Sequence, residues 1–80
     1  MQTVAEVFGQ SLRRVRKARG LSQERLAEKT ELSANFIGEM ERGLKAPGLV
    51  VIIRLALALD VAVHDLLAEF TPSFIRRLKV

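Results

Sequence analysis

LSQERLAEKTELSANFIGEMERG, residues 21–43, reads as two short helices joined by a tight turn. Leu21 is a buried lead-in. Ser22 can cap the first helix by accepting from its free N–H groups. Glu24, in that first turn, favours the positive helix end. Leu26 and Ala27 face inward, and Thr30-Glu31-Leu32 breaks the pattern. Ser33 can cap again, and Ile37 and Met40 recur three apart on one face. Arg42-Gly43 closes the second helix, because Gly is free to take the left-handed turn that ends it. Two helices joined this way make a helix-turn-helix.

The chain around this stretch has 80 residues, enough for one domain. So short a chain buries a modest core, and help from oligomerisation is expected. Apolar residues make up 49%, which argues against disorder. With four Phe, no Trp and no Tyr, the core must be mainly aliphatic. Zero Cys excludes disulfides and thiolate metal sites and fits a reducing cytosol. The opening MQTVAEVFGQ has no basic segment leading into an apolar run, so no signal peptide is expected. The apolar runs 49–53 and 55–59 are separated by Arg54, and even joined they fall short of the roughly 20 residues a membrane span needs. A cytoplasmic protein is the expectation. Thirteen Lys and Arg against nine Asp and Glu leave +4, a surplus that suits a polyanion.

Upstream of the motif, Thr3 to Arg19 is expected as a helix, with Val4, Phe8, Leu12, Val15 and Ala18 as its inner stripe. Arg13, Arg14, Arg16, Lys17 and Arg19 crowd its second half. They either complement the negative helix end or form a phosphate-facing edge. Gly20 ends the helix. Downstream, Leu44 to Gly48 is a loop stopped by Pro47. Leu49 to Leu59 is a helix with Leu49, Ile52, Leu55, Ala56 and Leu59 expected inside. Only Arg54 interrupts it, and a helix apolar all round is usually buried all round. Val50, Ile53 and Leu57 lie three and four apart and make a plausible dimer stripe; scattered exposed apolar residues are the alternative. Asp60 precedes a fifth helix traced by Val63, Leu66, Leu67 and Phe70. Thr71-Pro72 looks like an N-cap followed by Pro at the first position of a short sixth helix. In it Phe74, Ile75 and Leu78 would face inward and Arg76, Arg77 and Lys79 outward.

The words GLSQERLA, ELS and MERG followed by a Pro stand in register, and through them the chain closely resembles the phage-repressor and Cro-like, XRE-type family of DNA-binding proteins. The resemblance covers roughly residues 6 to 70. It implies an all-α, five-helix lambda-repressor-like DNA-binding domain over residues 1–70, with 71–80 as a tail or short sixth helix. Residues 33–42 would be the recognition helix, lying in the major groove with its N-terminal end against base edges. By the family pattern, Ser33, Ala34, Asn35 and Glu39 take the exposed positions. Asn35 can bind adenine in bidentate fashion, Ala34 can touch a thymine methyl, and Glu39 can accept from cytosine N4. Gln23 matches a position that contacts phosphate and braces the base-reading side chain. Ser22, at a helix N-terminus, can hold a phosphate. Arg42 and Lys45 are further phosphate candidates. Phe36 either half-buries or packs on the sugar-phosphate backbone. The family also pairs a basic residue at Arg16 with the Glu at Glu41.

Three features of the helix-turn-helix depart from the pattern. Glu31 stands where the turn usually carries Gly, and a left-handed backbone there costs about 1 kcal/mol. Gly38 lies inside the recognition helix, where it costs about 1 kcal/mol relative to Ala. Glu39 and Glu41 leave that helix with only Arg42 to offset them, so phosphate contacts elsewhere must supply most of the affinity. Val50, Val51 and Leu57 are apolar where the family more often has polar residues.

The function expected is a sequence-specific transcription regulator acting as a homodimer on an inverted-repeat operator. The competing reading is an antitoxin or similar module that binds a protein partner through its apolar tail, Phe74 to Val80. An enzyme is not expected, for want of a nucleophile–base pair, a metal cluster or a Gly-rich phosphate loop. His64 is the single His and has no ligand partner, so neither a metal nor a cofactor is expected.

Overall fold

The first helix starts at a reciprocal cap. Thr3 Oγ1 accepts from the Glu6 N–H at 3.1 Å, and the Glu6 carboxylate accepts from the Thr3 N–H at 2.8 Å. From there α1 runs Val4–Ala18. In this computed structural model, which describes residues 2–78, five further helices follow: α2 Gln23–Thr30, α3 Ala34–Glu41, α4 Leu49–Leu59, α5 Val63–Leu66 and α6 Pro72–Ile75. No strand forms among the described residues, so the fold is all-α, with five helices and a short sixth. Ser22, Ser33 and Thr71 each cap their helix, accepting from the N–H of Arg25, Phe36 and Phe74. The cap on α6 leads into Pro72 at its start.

The turn between α2 and α3 is made by Glu31 at φ 61°, a left-handed backbone carried by a non-glycine residue. Asp60 does the same at φ 56° after α4. Both residues are exposed, and each carries the local cost of that backbone.

One aliphatic core joins α1 to α5: Phe8, Leu12 and Val15, Leu26 and Ala27, Ile37 and Met40, Leu55, Ala56 and Leu59, and Leu66. Gly9 sits where α1 crosses α3. A Cβ there would run into the carbonyl oxygens of Met40 and Glu41, so the two backbones touch only because residue 9 has no side chain.

Five expectations need correction. Ala18 is exposed; Arg16 takes the inward place at that level, and the chain folds back beneath it through the Leu21 N–H to Arg16 carbonyl bond. Leu49 is 66% exposed rather than inside, because the core side of α4 is filled by Ile52, Leu55, Ala56 and Leu59 with Val51 and Ala58 beside them. Helix α5 closes at Leu66, with Leu67 as its cap and Phe70 packed on the core from beyond the helix. Ile75 is exposed, since four residues of α6 make too short a helix to present a continuous inner face; Phe74 and Leu78 are half-buried. Ala34 and Glu39 are half-buried rather than exposed, for reasons given below. Arg76 and Arg77 face out; Lys79 and Val80 lie outside the described residues.

Candidate nucleic-acid interface

A buried ion pair sets the pose of α3. Arg16 donates from Nε to one oxygen of Glu41 at 2.6 Å and from Nη2 to the other at 3.0 Å. Its Nη1 donates to the Leu21 carbonyl at 2.8 Å. Gln23 Nε2 adds a third donor to the same carboxylate at 3.0 Å. The side chains of Arg16 and Glu41 are 9% and 3% exposed. Hydrogen bonding to Glu41, partly opposed by burial, raises the Arg16 pKa above its ordinary value, so the guanidinium stays charged. One carboxylate thereby ties α1, the α1–α2 loop and the start of α2 to the end of α3. Such a network holds geometry more surely than it adds stability. No buried side-chain polar atom is left without a partner among the described residues.

On the outer side of α3, Ser33, Asn35 and Arg42 are exposed. Asn35 makes no side-chain hydrogen bond among the described residues, so its exposed amide is open to another molecule. Ser33 spends its oxygen on the cap. Ala34 packs against the core cluster, leaving part of its surface open. Phe36 is half-buried, with the Lys45 ammonium 6.0 Å from its ring centroid. Lys45 also lies 3.5 Å from the carboxylate of Glu39, which is why Glu39 is half-covered and its charge offset. Gln23 is half-buried under its bond to Glu41, and Ser22 is exposed at the head of α2.

Gly38 is buried although it faces outward on α3, because neighbouring side chains cover it. A Cβ added there would lie 3.1 Å from Arg42 Nη1 and 3.7 Å from Gln23 Oε1. The missing side chain thus makes a notch in which Arg42 and Gln23 lie side by side. What lies closest to Gly38 is therefore its own neighbours, Arg42 and Gln23.

The four basic residues of α1 and Arg19 at its cap do not form one open edge. Arg16 is buried, Arg14 reaches Glu69 at 3.0 Å, and Arg19 lies 3.5 Å from Asp60. Arg13 and Lys17 remain exposed without an ion pair among the described residues. No cluster of three or more His, Cys, Asp and Glu that could hold a metal occurs among the described residues. His64 is exposed beside Asp65.

The helix-turn-helix family, HTH_3, matches residues 12–66. The uncharacterized HTH-type transcriptional regulator YazB of Bacillus subtilis is 34% identical over 62 residues, 78% of this chain and 90% of YazB. The control protein C.BamHI of Bacillus amyloliquefaciens is 38% identical over 66 residues, 81% of this chain and 80% of that protein. The chain spans 58% of a further relative, the HTH-type transcriptional regulator SinR of Bacillus subtilis. Among solved structures, the restriction-modification controller protein C.AhdI from Aeromonas hydrophila superposes with a TM-score of 0.75 at 45% identity, over 78% of this chain and 94% of that one. The matched segment holds the capped helix pair, the left-handed turn and most of the core, and on that agreement of sequence and fold the chain belongs to the helix-turn-helix family of DNA-binding transcriptional regulators.

Proposed function

We propose that the chain reads operator DNA as a homodimer, with α3 in the major groove and Asn35 as its principal base-reading residue. The observation that carries this reading is the Arg16–Glu41–Gln23 network, which fixes α3 while leaving Asn35 unengaged and outward. Ser22, Gln23, Arg42 and Lys45 hold the flanking phosphates, and Ser33, Ala34 and Phe36 press on the groove wall. Glu39, already paired with Lys45, serves to orient that lysine as much as to meet a base. Residues 1–70 do this work, and 71–80 form the tail. No helix of the described residues is long and apolar enough to cross a membrane, in keeping with a regulator acting on cytoplasmic DNA.

The second copy is supported by the outward side of α4. Val50, Ile53 and Leu57 are exposed, and Leu49 joins them four residues before Ile53. An apolar stripe of this kind on a small domain marks an interaction surface. Two copies related by a two-fold axis would present recognition helices to successive major grooves about 34 Å apart. Control proteins of restriction–modification systems are among the relatives, which is consistent with a small autonomous regulator of this kind.

Selection of bound duplexes from a random pool tests the reading. An inverted repeat with half-sites about one helical turn apart is the expected result. Salt-sensitive binding without enrichment would mean phosphate contacts alone. Asn35→Ala should cost about 1–3 kcal/mol on the enriched site and relax base choice at one position. An equal loss on random DNA would remove Asn35 from base reading. A protein partner for the tail remains the alternative, favoured by the exposure of Ile75. Deleting 71–80 discriminates, because loss of a co-purifying protein with DNA binding intact would favour it.

A further inference from the structure

Beside the apolar stripe of α4 lies a shallow groove of about 240 Å³, lined by Lys29, Thr30, Glu31, Arg54 and Leu57. It contains the outermost apolar residue of the stripe, Leu57, which is 82% exposed. It also contains two opposite charges. Arg54 is the single charged residue of α4, and Glu31 stands on the left-handed turn after α2. Although they line one groove, neither forms an ion pair among the described residues. Lys29 adds a second cation, so the wall as a whole is not acidic.

A surface that carries an apolar knob, an anion and a cation together is complementary to itself. Across a two-fold axis residue i meets j while j meets i, so one such surface supplies both halves of two identical charge pairs. We propose that the groove is occupied by a second copy of this chain, with Glu31 of each copy paired to Arg54 of the other around the buried leucines. This rests on the homodimer proposed above and adds its polar rim. The pairs determine which way two featureless aliphatic stripes align, since like charges placed opposite one another reject the wrong register. They also give Arg54 a role in an otherwise apolar helix, and they explain why an acidic residue is useful at the strained turn.

The experiment uses the full chain. Dimer dissociation is measured by sedimentation for wild type, Glu31→Arg, Arg54→Glu and an equimolar mixture of the two variants. Each variant alone places like charges across the axis and should dimerise on the order of tenfold more weakly than wild type, two exposed pairs being reversed at once. The mixture should recover to within about threefold of wild type, because the heterodimer matches opposite charges at both pairs. A pair formed within one chain gives no recovery on mixing, so an unrecovered mixture overturns the trans pairing while leaving the dimer standing. A wild type that stays monomeric overturns the dimer and the rim together. A readout that needs no variant is salt: raising it from roughly 0.05 to 0.5 M should weaken the wild-type dimer through screening, whereas association through the leucines alone would hold or tighten.

Discussion

The seam between α1 and α3 and the outward side of α4 each place residues against their usual preference. At the seam an arginine and a glutamate are buried; on α4 four aliphatic residues meet water. The seam answers its own demand. Every donor of Arg16 named above ends on a partner, and Gly9 lets the backbones of α1 and α3 touch. The α4 stripe is left largely open to water. The difference follows from what each mismatch costs. A buried charge without its partner is ruinous to the fold, so the chain must complete it internally. An exposed leucine costs a monomer little, so its partner can come from outside. Internal completeness thus separates what makes the fold from what the fold offers to others.

The seam should break most severely. Glu41→Ala leaves a guanidinium buried without its carboxylate and should lower the unfolding free energy by about 3–5 kcal/mol in urea titrations. A loss near zero would mean that water reaches Arg16. Gly9→Ala sets two principles against each other. Helix propensity alone favours the alanine by about 1 kcal/mol. Its methyl group, however, would meet two backbone carbonyls, and net destabilisation of about 1–3 kcal/mol is expected. A stabilised variant would show that α1 and α3 can separate freely.

On α4 the contrast predicts the opposite pairing of effects. Leu57→Glu should leave unfolding within about 0.5 kcal/mol of wild type, as for an ordinary surface change, when measured dilute enough to be monomeric. At higher concentration it should shift the solution mass toward monomer and weaken operator binding. An unchanged mass would take Leu57 out of the interface.

The smallest effect lies at the N-cap of α1. The Thr3 backbone N–H, and to a smaller extent its hydroxyl, hold the Glu6 carboxyl below its ordinary pKa. A depressed carboxylate contributes stability above its unfolded pKa and loses it as pH falls through the lower folded value. Thr3→Ala keeps the backbone N–H and removes the hydroxyl. The Glu6 titration, followed by carbonyl NMR, should therefore move only part of the way back toward the ordinary carboxylate range, and the small loss of stability should be present at neutral pH and fade as pH falls.

Local chemistry is legible in the sequence alone. The serine caps, the stop at Gly43 and the Pro-led α6 depend on neighbours within a few residues, so residue type and spacing determine them, whereas the left-handed turn at Glu31 is implied by the family resemblance. The all-α fold and the helix-turn-helix follow from those signals together with the 3.6-residue apolar period. Three features needed the tertiary structure. Leu49 has a place on either side of α4, because a helix that is apolar nearly all round has no period to say which side is inside; only the packing of Ile52, Leu55 and Leu59 decides it. Glu39 reads as a free acceptor until the loop after α3 brings Lys45 back to it. Gly9 looks like a weak point in α1 until α3 crosses there. In each case the deciding contact joins residues that the chain's path, not its local spacing, brings together.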